Sequence, residues 1–260
     1  MTLMSKSKRV NDLFSVYRYG DQIKVSYIKN GVFANTQNSG KKRSIDVENV
    51  EKLDESISRT RSTIFELAMC NDFEWFVTLT LDPQKMSRND LKTFRKTFSG
   101  MVRDRNKYRP PERKIEYLLI PEQHKDGAWH MHGLFRGLSK KDDLIKNQYG
   151  YLDWSEYSKR FGFCSFSKVK SHVACSRYIT KYVTKDVKKG TAIEFGGHSY
   201  FCSQGLARRE VLLKNYIGTT SLFEGLSVSY ENDYVKTYWL SLQEGLTLVN
   251  KSKELSICIE

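Results

Sequence analysis

Two apolar runs on either side of a turn sequence place the strongest constraint on the fold of this chain. Ile115 to Gln123 and Ala128 to Phe135 are rich in strand-forming residues, and Lys125-Asp126-Gly127 lies between them. A glycine at the end of a three-residue loop can adopt the left-handed conformation that such a turn requires. The sequence therefore predicts an antiparallel β-hairpin, and with it a fold built on an antiparallel sheet.

Changes in the spacing of apolar residues predict the other elements. Short antiparallel strands are expected over 14–34, and strands with loops over 191–260. Five further elements are expected in between: a helix over 50–70, a buried strand over 73–81, a helix that Asp90 can cap and Pro110-Pro111 stops, a strand over 161–168, and a helix from Ser171 to about Lys189. We expect an α+β fold with a central antiparallel sheet and helices mainly on one face.

Charge and composition limit the function. The chain has 43 Lys and Arg against 30 Asp and Glu, a net charge of +13, which predicts a polyanionic partner, nucleic acid before membrane. Its apolar runs are too short to span a bilayer and no secretory signal is visible, so we expect a cytoplasmic protein. Five cysteines without a CxxC pair argue against a zinc or disulfide framework. No GxxxxGK[ST] loop is present, which predicts that ATP is not a cofactor.

A candidate metal site lies on the predicted hairpin. His130 and His132, two residues apart, project from one face of a strand. With Gly127 left-handed, the hairpin register places Glu122 opposite His130 and on the same face, whereas a two-residue turn would shift the pairing by one residue. His124 is a reserve ligand in this register. Two imidazoles and one carboxylate suit Mn²⁺ or Mg²⁺ better than structural zinc. The alternative is an incidental HxH pair on an exposed strand.

Candidate nucleophiles lie on the last predicted helix. Tyr178 and Tyr182 are four residues apart, so both hydroxyls should project over one patch. This patch is expected to lie off the apolar face of the helix and towards Lys181 and Lys185, whose ammonium groups can stabilise a phenolate. A tyrosine that attacks a DNA phosphodiester conserves the bond energy as phosphotyrosine, so cleavage and rejoining need no ATP. The alternative is a helix that contacts DNA through exposed tyrosines.

In this order, the strand Phe76 to Pro83, the Glu122, His130 and His132 set, and the tyrosine helix resemble the three motifs of HUH endonucleases. They are most similar to two-tyrosine rolling-circle replication initiators (Rep) of small single-stranded DNA phages, plasmids and prophage elements. The segment 203–206, Ser-Gln-Gly-Leu, is similar to a short Ser-x-Gly-Leu element of that group.

The resemblance implies an RRM/ferredoxin-like core with the metal pair on a central strand. It also implies nicking of one strand at an origin, a 5′-phosphotyrosine, a free 3′-hydroxyl that primes synthesis, and rejoining of the displaced strand. Single-stranded or melted origin DNA would be the substrate, and a bacterial host helicase and DNA polymerase would be partners. On this basis we expect a catalytic domain over 48–210, a strand-rich N-terminal extension over 1–47, and a C-terminal strand-rich segment, 211–260, packed on the same domain.

Two regions are candidates for DNA contact. Between Lys85 and Lys114 there are eleven basic and three acidic residues, which indicates a phosphate-binding face. Among these residues and those of the buried strand, the predicted DNA contacts are Thr78, Thr80, Arg95, Arg103 and Arg105. Seven aromatic residues lie between Tyr149 and Phe166, of which we expect most in the core and one or two free to stack on unpaired bases.

These features predict a metal-dependent, site-specific single-strand endonuclease and strand transferase that initiates rolling-circle replication. A relaxase or a single-strand transposase would share the chemistry. A non-catalytic DNA-binding repressor would bind without cleavage, and a metal-dependent RNase would differ in its substrate and form no covalent adduct.

Overall fold

The computed structural model describes residues 11–31, 49–139, 143–183, 199–217 and 220–257. The chain divides into two compact units, one made of Met1–Ser44 with Arg208–Glu260 and the other of Ile45–Ala207. The described residues form two antiparallel sheets and five helices, which confirms the predicted α+β class. No helix in these ranges is both long and apolar enough to cross a membrane.

The elements follow one another along the chain with two short 3₁₀ turns at Pro111–Arg113 and Thr220–Phe223. The strands are β1 (Asn11–Tyr19), β2 (Gln22–Gly31), β3 (Trp75–Thr80), β4 (Glu116–Gln123), β5 (Trp129–Arg136), β6 (Leu144–Lys146), β7 (Leu152–Trp154), β8 (Cys164–Lys168), β9 (Phe201–Cys202), β10 (Glu210–Ile217), β11 (Tyr230–Glu231) and β12 (Val235–Ser241). The helices are α1 (Asn49–Met69), α2 (Leu91–Asn106), α3 (Ser155–Arg160), α4 (His172–Ile179) and α5 (Leu242–Ile257).

The unit 45–207 is built on a seven-stranded sheet with the order β6-β7-β8-β3-β5-β4-β9. The predicted hairpin forms its β4–β5 pair, and β5 is an interior strand between β3 and β4. The strand predicted over 73–81 is β3, which pairs with β5 on one side and β8 on the other. These three internal pairings position the candidate metal residues.

Helices cover both faces of this sheet, whereas the sequence favours helices mainly on one. On the first face, Val77 and Leu79 of β3 pack with Phe94 and Phe98 of α2. On the second face, apolar residues of β4 and β5 pack with α1 and α4; they include Leu118, Ile120, Leu134, Ile64, Leu67 and Ile179. We call this second side the α1/α4 face.

Two predicted helix starts are confirmed by their caps. The carboxylate of Asp90 accepts a hydrogen bond from the Thr93 amide at 2.9 Å, at the start of α2. The Ser171 hydroxyl accepts one from the Ala174 amide at 3.3 Å, at the start of α4. Each cap satisfies a backbone donor that has no partner within the helix.

The second unit is a five-stranded sheet with the order β10-β1-β2-β12-β11 and the helix α5. The β1–β2 hairpin matches the strands predicted around Gly20-Asp21. The sequence favours packing of 211–260 on the catalytic domain; in the structure, its strands instead belong to the sheet of the N-terminal segment. The helix α5 lies where the sequence predicts only strands and loops.

Candidate active site

The hairpin register brings Glu122 opposite His130, as predicted. Gly127 is left-handed with φ 84°, and the turn closes with a hydrogen bond from the His124 amide to the Ala128 carbonyl at 2.9 Å. The three-residue turn is therefore confirmed. It fixes which side chains of β4 and β5 share a face.

The predicted metal residues lie together on the α1/α4 face. Nε2 of His132 is 2.9 Å from a carboxylate oxygen of Glu122, and both side chains are mostly buried. On the neighbouring strand β3, Thr78 lies opposite His132 and Thr80 lies opposite His130. The Thr78 hydroxyl is 3.3 Å from Nδ1 of His132, and the Thr80 hydroxyl is 3.4 Å from Nδ1 of His130.

These contacts fit the requirements of a divalent metal. Because the threonine hydroxyls engage Nδ1 of both imidazoles, the rings present Nε2 as the coordinating atom. In the part of the chain that the structure describes, no three His, Cys, Asp or Glu side chains form a ready-made metal cluster. Instead, Glu122 and His132 contact each other directly. The donor set fits Mn²⁺ or Mg²⁺, and binding would replace this contact with two bonds to the ion.

His130 is surrounded by other imidazoles. The ring of His124 stacks on it with a centroid distance of 3.8 Å, which places the reserve ligand beside the site. Burial, and then the nearby His124 and His132, lower the pKa of His130, while Glu122 opposes this shift. A lowered pKa keeps the imidazole neutral, which is the form that binds a metal.

The tyrosine segment differs from the long helix that the sequence predicts. Helix α4 ends at Ile179, and the Lys181 amide then donates to the Tyr178 carbonyl at 3.1 Å across a three-residue turn. Such a turn advances each residue by about 120° rather than 100°. Tyr182 is rotated towards the sheet as a result. The predicted continuation from 184 to 189, including Lys185, lies outside the described residues.

The two tyrosine hydroxyls nevertheless meet. The Tyr182 hydroxyl donates a hydrogen bond to the Tyr178 hydroxyl at 3.0 Å, while the two rings pack edge to face. Tyr178 is 47% exposed. Tyr182 is only 8% exposed and belongs to the apolar cluster of this face, so the expectation that both lie off the apolar face is wrong for Tyr182.

Tyr182 joins the tyrosine pair to the candidate metal residues. Its ring stacks on the His132 imidazole with a centroid distance of 3.9 Å and an interplanar angle of 12°. Burial raises the pKa of Tyr182 well above its usual value, and the neighbouring Tyr178 and Glu122 add to this shift. Tyr182 therefore keeps its proton and can act as the donor to Tyr178.

Two further side chains surround Tyr178. Nζ of Lys181 lies 5.6 Å from the centroid of the Tyr178 ring, which is a cation–π distance. Phe76 of β3 packs edge to face against the same ring. The structure thus places the predicted Lys181 beside Tyr178, on the exposed side of the site.

The predicted DNA-contacting residues are distributed over several places. Thr78 and Thr80 face the two imidazoles, whereas Arg105 forms an ion pair with Glu156. Arg95 and Arg103 line a cavity of about 660 Å³ between α2, β4 and the residues after β9. Lys107, Lys114, Tyr117, Phe201 and Gln204 also line this cavity.

The Ser-Gln-Gly-Leu segment has a structural role in the described fold. The Tyr117 amide donates to the Ser203 hydroxyl at 3.0 Å, and the Ser203 amide donates to the Tyr117 carbonyl at 2.9 Å. Leu206 is buried on the α1/α4 face. Asn71 then exchanges two hydrogen bonds with the backbone of Ala207. The segment therefore fastens the β4 edge and the end of α1.

Two parts of the site differ from what the sequence predicts. Thr78 and Thr80 are expected to touch DNA but contact the imidazoles, and the sequence does not predict the stacking of Tyr182 on His132. The two-residue spacing of the threonines matches that of the histidines, and this match is the signal that could have linked the strands. No local pattern reports the ring stacking, because it joins residues 50 positions apart.

Comparison with known proteins supports a role in replication. Residues 74–187 match a family model of replication-associated proteins, the ORF2 type, and this range contains both threonines, the three predicted metal ligands and both tyrosines. Searches of curated proteins and of solved structures gave no significant match. Over its central segment the chain is thus similar to replication-associated proteins, which supports the function of a replication initiator.

Proposed function

We propose that this protein initiates rolling-circle replication by nicking one strand of origin DNA through a tyrosine transesterification. The observation that carries the proposal is the grouping on one sheet face of Glu122, His130 and His132 with a hydrogen-bonded tyrosine pair. The match to replication-associated proteins supports the biological role, and the net charge of +13 supports a nucleic-acid substrate.

Glu122, His130 and His132 would hold the metal ion. When bound, Mn²⁺ or Mg²⁺ supplies Lewis-acid polarisation of a nonbridging oxygen of the scissile phosphate. Thr78 and Thr80 hold the imidazoles through Nδ1, so the ligand geometry is set before the substrate arrives.

Tyr178 is the first nucleophile in this proposal. It is the exposed member of the pair, and its oxygen accepts the Tyr182 hydroxyl proton in a hydrogen bond that would stabilise the phenolate. Its oxygen forms a bond to phosphorus as the bond from phosphorus to the 3′ oxygen breaks. The phenol loses one proton and the departing 3′ oxygen gains one, which leaves a 5′-phosphotyrosine and a free 3′-hydroxyl.

Tyr182 would act in the later step. Once Tyr178 carries the DNA strand, the Tyr182 hydroxyl is the nearest free phenol to the same face. Attack by Tyr182 on a second origin phosphate frees another 3′-hydroxyl, which can attack the Tyr178 phosphodiester and close the displaced strand.

The test is the formation of a covalent adduct. The full-length protein is incubated with Mn²⁺ and single-stranded oligonucleotides from its own replicon, and the products are separated on a denaturing gel and mapped by mass spectrometry. We expect an adduct on Tyr178 that depends on the metal. Binding without any adduct, over the whole oligonucleotide pool, would favour a non-catalytic repressor.

Two tyrosine variants test the order of attack. Tyr178→Phe should remove the first adduct, whereas Tyr182→Phe should still form it, more slowly, and fail to complete strand rejoining. An adduct that persists at full rate in Tyr178→Phe would reassign the first nucleophile to Tyr182. A double variant that still forms adduct would remove both tyrosines from the mechanism.

The metal assignment has its own test. Changing both His130 and His132 to Ala should abolish cleavage but leave duplex binding largely intact, because the basic residues that contact phosphates lie elsewhere. Unchanged nicking by this double variant would refute the metal site. A relaxase or a transposase would pass both tests, and support of replication from a double-stranded origin separates the proposed initiator from these two.

A further inference from the structure

We propose that Phe163, together with Tyr151, forms a stacking platform for unpaired bases next to the cleaved phosphate. This inference rests on the proposed function, since it takes the single-stranded substrate from there. It adds a binding site for bases, whereas the residues discussed above act on the phosphate.

Exposure distinguishes the platform from the other aromatic residues of its segment. Of the seven aromatics between Tyr149 and Phe166, four are buried in the core: Trp154, Tyr157, Phe161 and Phe166. Tyr151 is 56% exposed and Phe163 is 40% exposed, and Tyr149 is exposed as well. The sequence predicts one or two stacking residues among them, and exposure limits the choice to these three.

Strand pairing places Phe163 beside the metal residues. The Thr80 amide donates to the Phe163 carbonyl at 2.8 Å, which continues the β3–β8 register by one pair. Thr80 lies opposite His130, and His130 lies opposite Glu122. Directly opposite residues project from the same face of a sheet. Glu122, His130, Thr80 and Phe163 therefore form one row across four strands.

The length of this row suits a DNA strand. Phe163 is two strand spacings from His130, or about 10 Å at the usual separation of ~4.8 Å. A phosphate held at Glu122, His130 and His132 would leave a base only a few nucleotides away within reach of the Phe163 ring.

The two rings are arranged to accept a base. The centroids of Tyr151 and Phe163 are 6.1 Å apart with an interplanar angle of 87°, so the Tyr151 ring supports Phe163 at its edge. Aromatic side chains exposed on a positively charged protein are typical of single-strand binding surfaces, since every base offers a π-face. The platform would therefore bind bases with little sequence preference.

The platform is tested by binding without cleavage. Oligonucleotides of about 16 nucleotides, with 2-aminopurine scanned through the sequence, are titrated with full-length protein in EDTA. Phe163→Ala should weaken single-strand binding by roughly 5- to 100-fold and remove the fluorescence quenching at its position. Phe163→Trp should retain both. Tyr108→Ala is the matched control, because Tyr108 is 91% exposed but lies beyond the end of α2.

The outcomes separate this inference from the proposed function. Quenching that Phe163→Ala removes and Phe163→Trp keeps supports the platform, even if no metal gives an adduct. Equal affinity and quenching in wild type and Phe163→Ala would overturn the platform, even if the adduct on Tyr178 forms. Absence of single-strand binding by the wild type would overturn it as well. Circular dichroism of each variant checks that the fold is retained.

Discussion

At the scale of single residues, each imidazole of the candidate metal site is held by a hydroxyl on the neighbouring strand. Thr78 and Thr80 repeat the spacing of the two histidines, so a single strand pairing aligns both contacts. Tyr182 then covers His132 from the α4 side. The ligands are thus oriented by side chains from two other elements, and this orientation can be tested separately from the ligands themselves.

Replacing Thr78 and Thr80 with Val should reduce metal activation while preserving the fold. The change keeps the β-branched shape but removes the hydroxyl near Nδ1, and loss of such partners typically costs 10- to 100-fold in metal affinity or activity. The Mn²⁺ concentration that gives half-maximal nicking would be compared with that of Thr63→Val, whose hydroxyl bonds within α1. Equal values for the double variant and the control would show that the threonines do not orient the ligands.

At the scale of elements, prediction succeeds where a long apolar period and a clear end signal occur together. Helix α2 has Asp90 before its buried stripe, and the β4–β5 hairpin has Gly127 in its turn. The elements α3, β6 and β7 escape prediction because three to six residues are too few to show a period. Helix α5 escapes it because Gly245 and several polar residues interrupt its apolar pattern.

Two glycine substitutions should have opposite effects on stability. A Cβ at Gly133 would lie 2.5 Å from the Leu118 carbonyl oxygen, so Gly133→Ala must displace the β4 backbone. We expect a loss of about 1–3 kcal/mol in the free energy of unfolding. Gly100 lies in α2 with open space around it, and Gly100→Ala should gain about 0.5–1 kcal/mol. Denaturant unfolding of both variants measures the difference, and equal stabilities would contradict the close approach at Gly133.

At the scale of the whole molecule, the chain begins in one unit, forms the second, and returns to the first. Strands β10 and β12 pair with β1 and β2 although about 200 residues separate them. No local pattern signals which distant strands will pair, because alternation reports only that a strand has one buried face. The sequence therefore predicts the strands of this unit better than their partners.

The positive charge of the molecule should appear in the salt dependence of DNA binding. Arg95 and Arg103 are exposed at a cavity with Lys107 and Lys114, so each can contact a phosphate. Changing either arginine to Gln should lower the slope of log K against log salt by ~0.7 to 0.9, which is the effect of one lost phosphate contact. Lys251→Gln, an exposed cation on α5, is the control. Slopes equal to that of the control would remove this face from the DNA-binding surface.

The turn at Lys125–Gly127 has a consequence for how such a protein can change during evolution. On β5, the residues that alternate with His130 and His132 include Trp129 and Met131, which are buried in the core of the opposite face. Moving the register by one residue would exchange these two sets, burying the imidazoles and exposing the core. Insertions and deletions in this turn should therefore be accepted only when they keep the parity of the register, even though the turn itself lies at the surface.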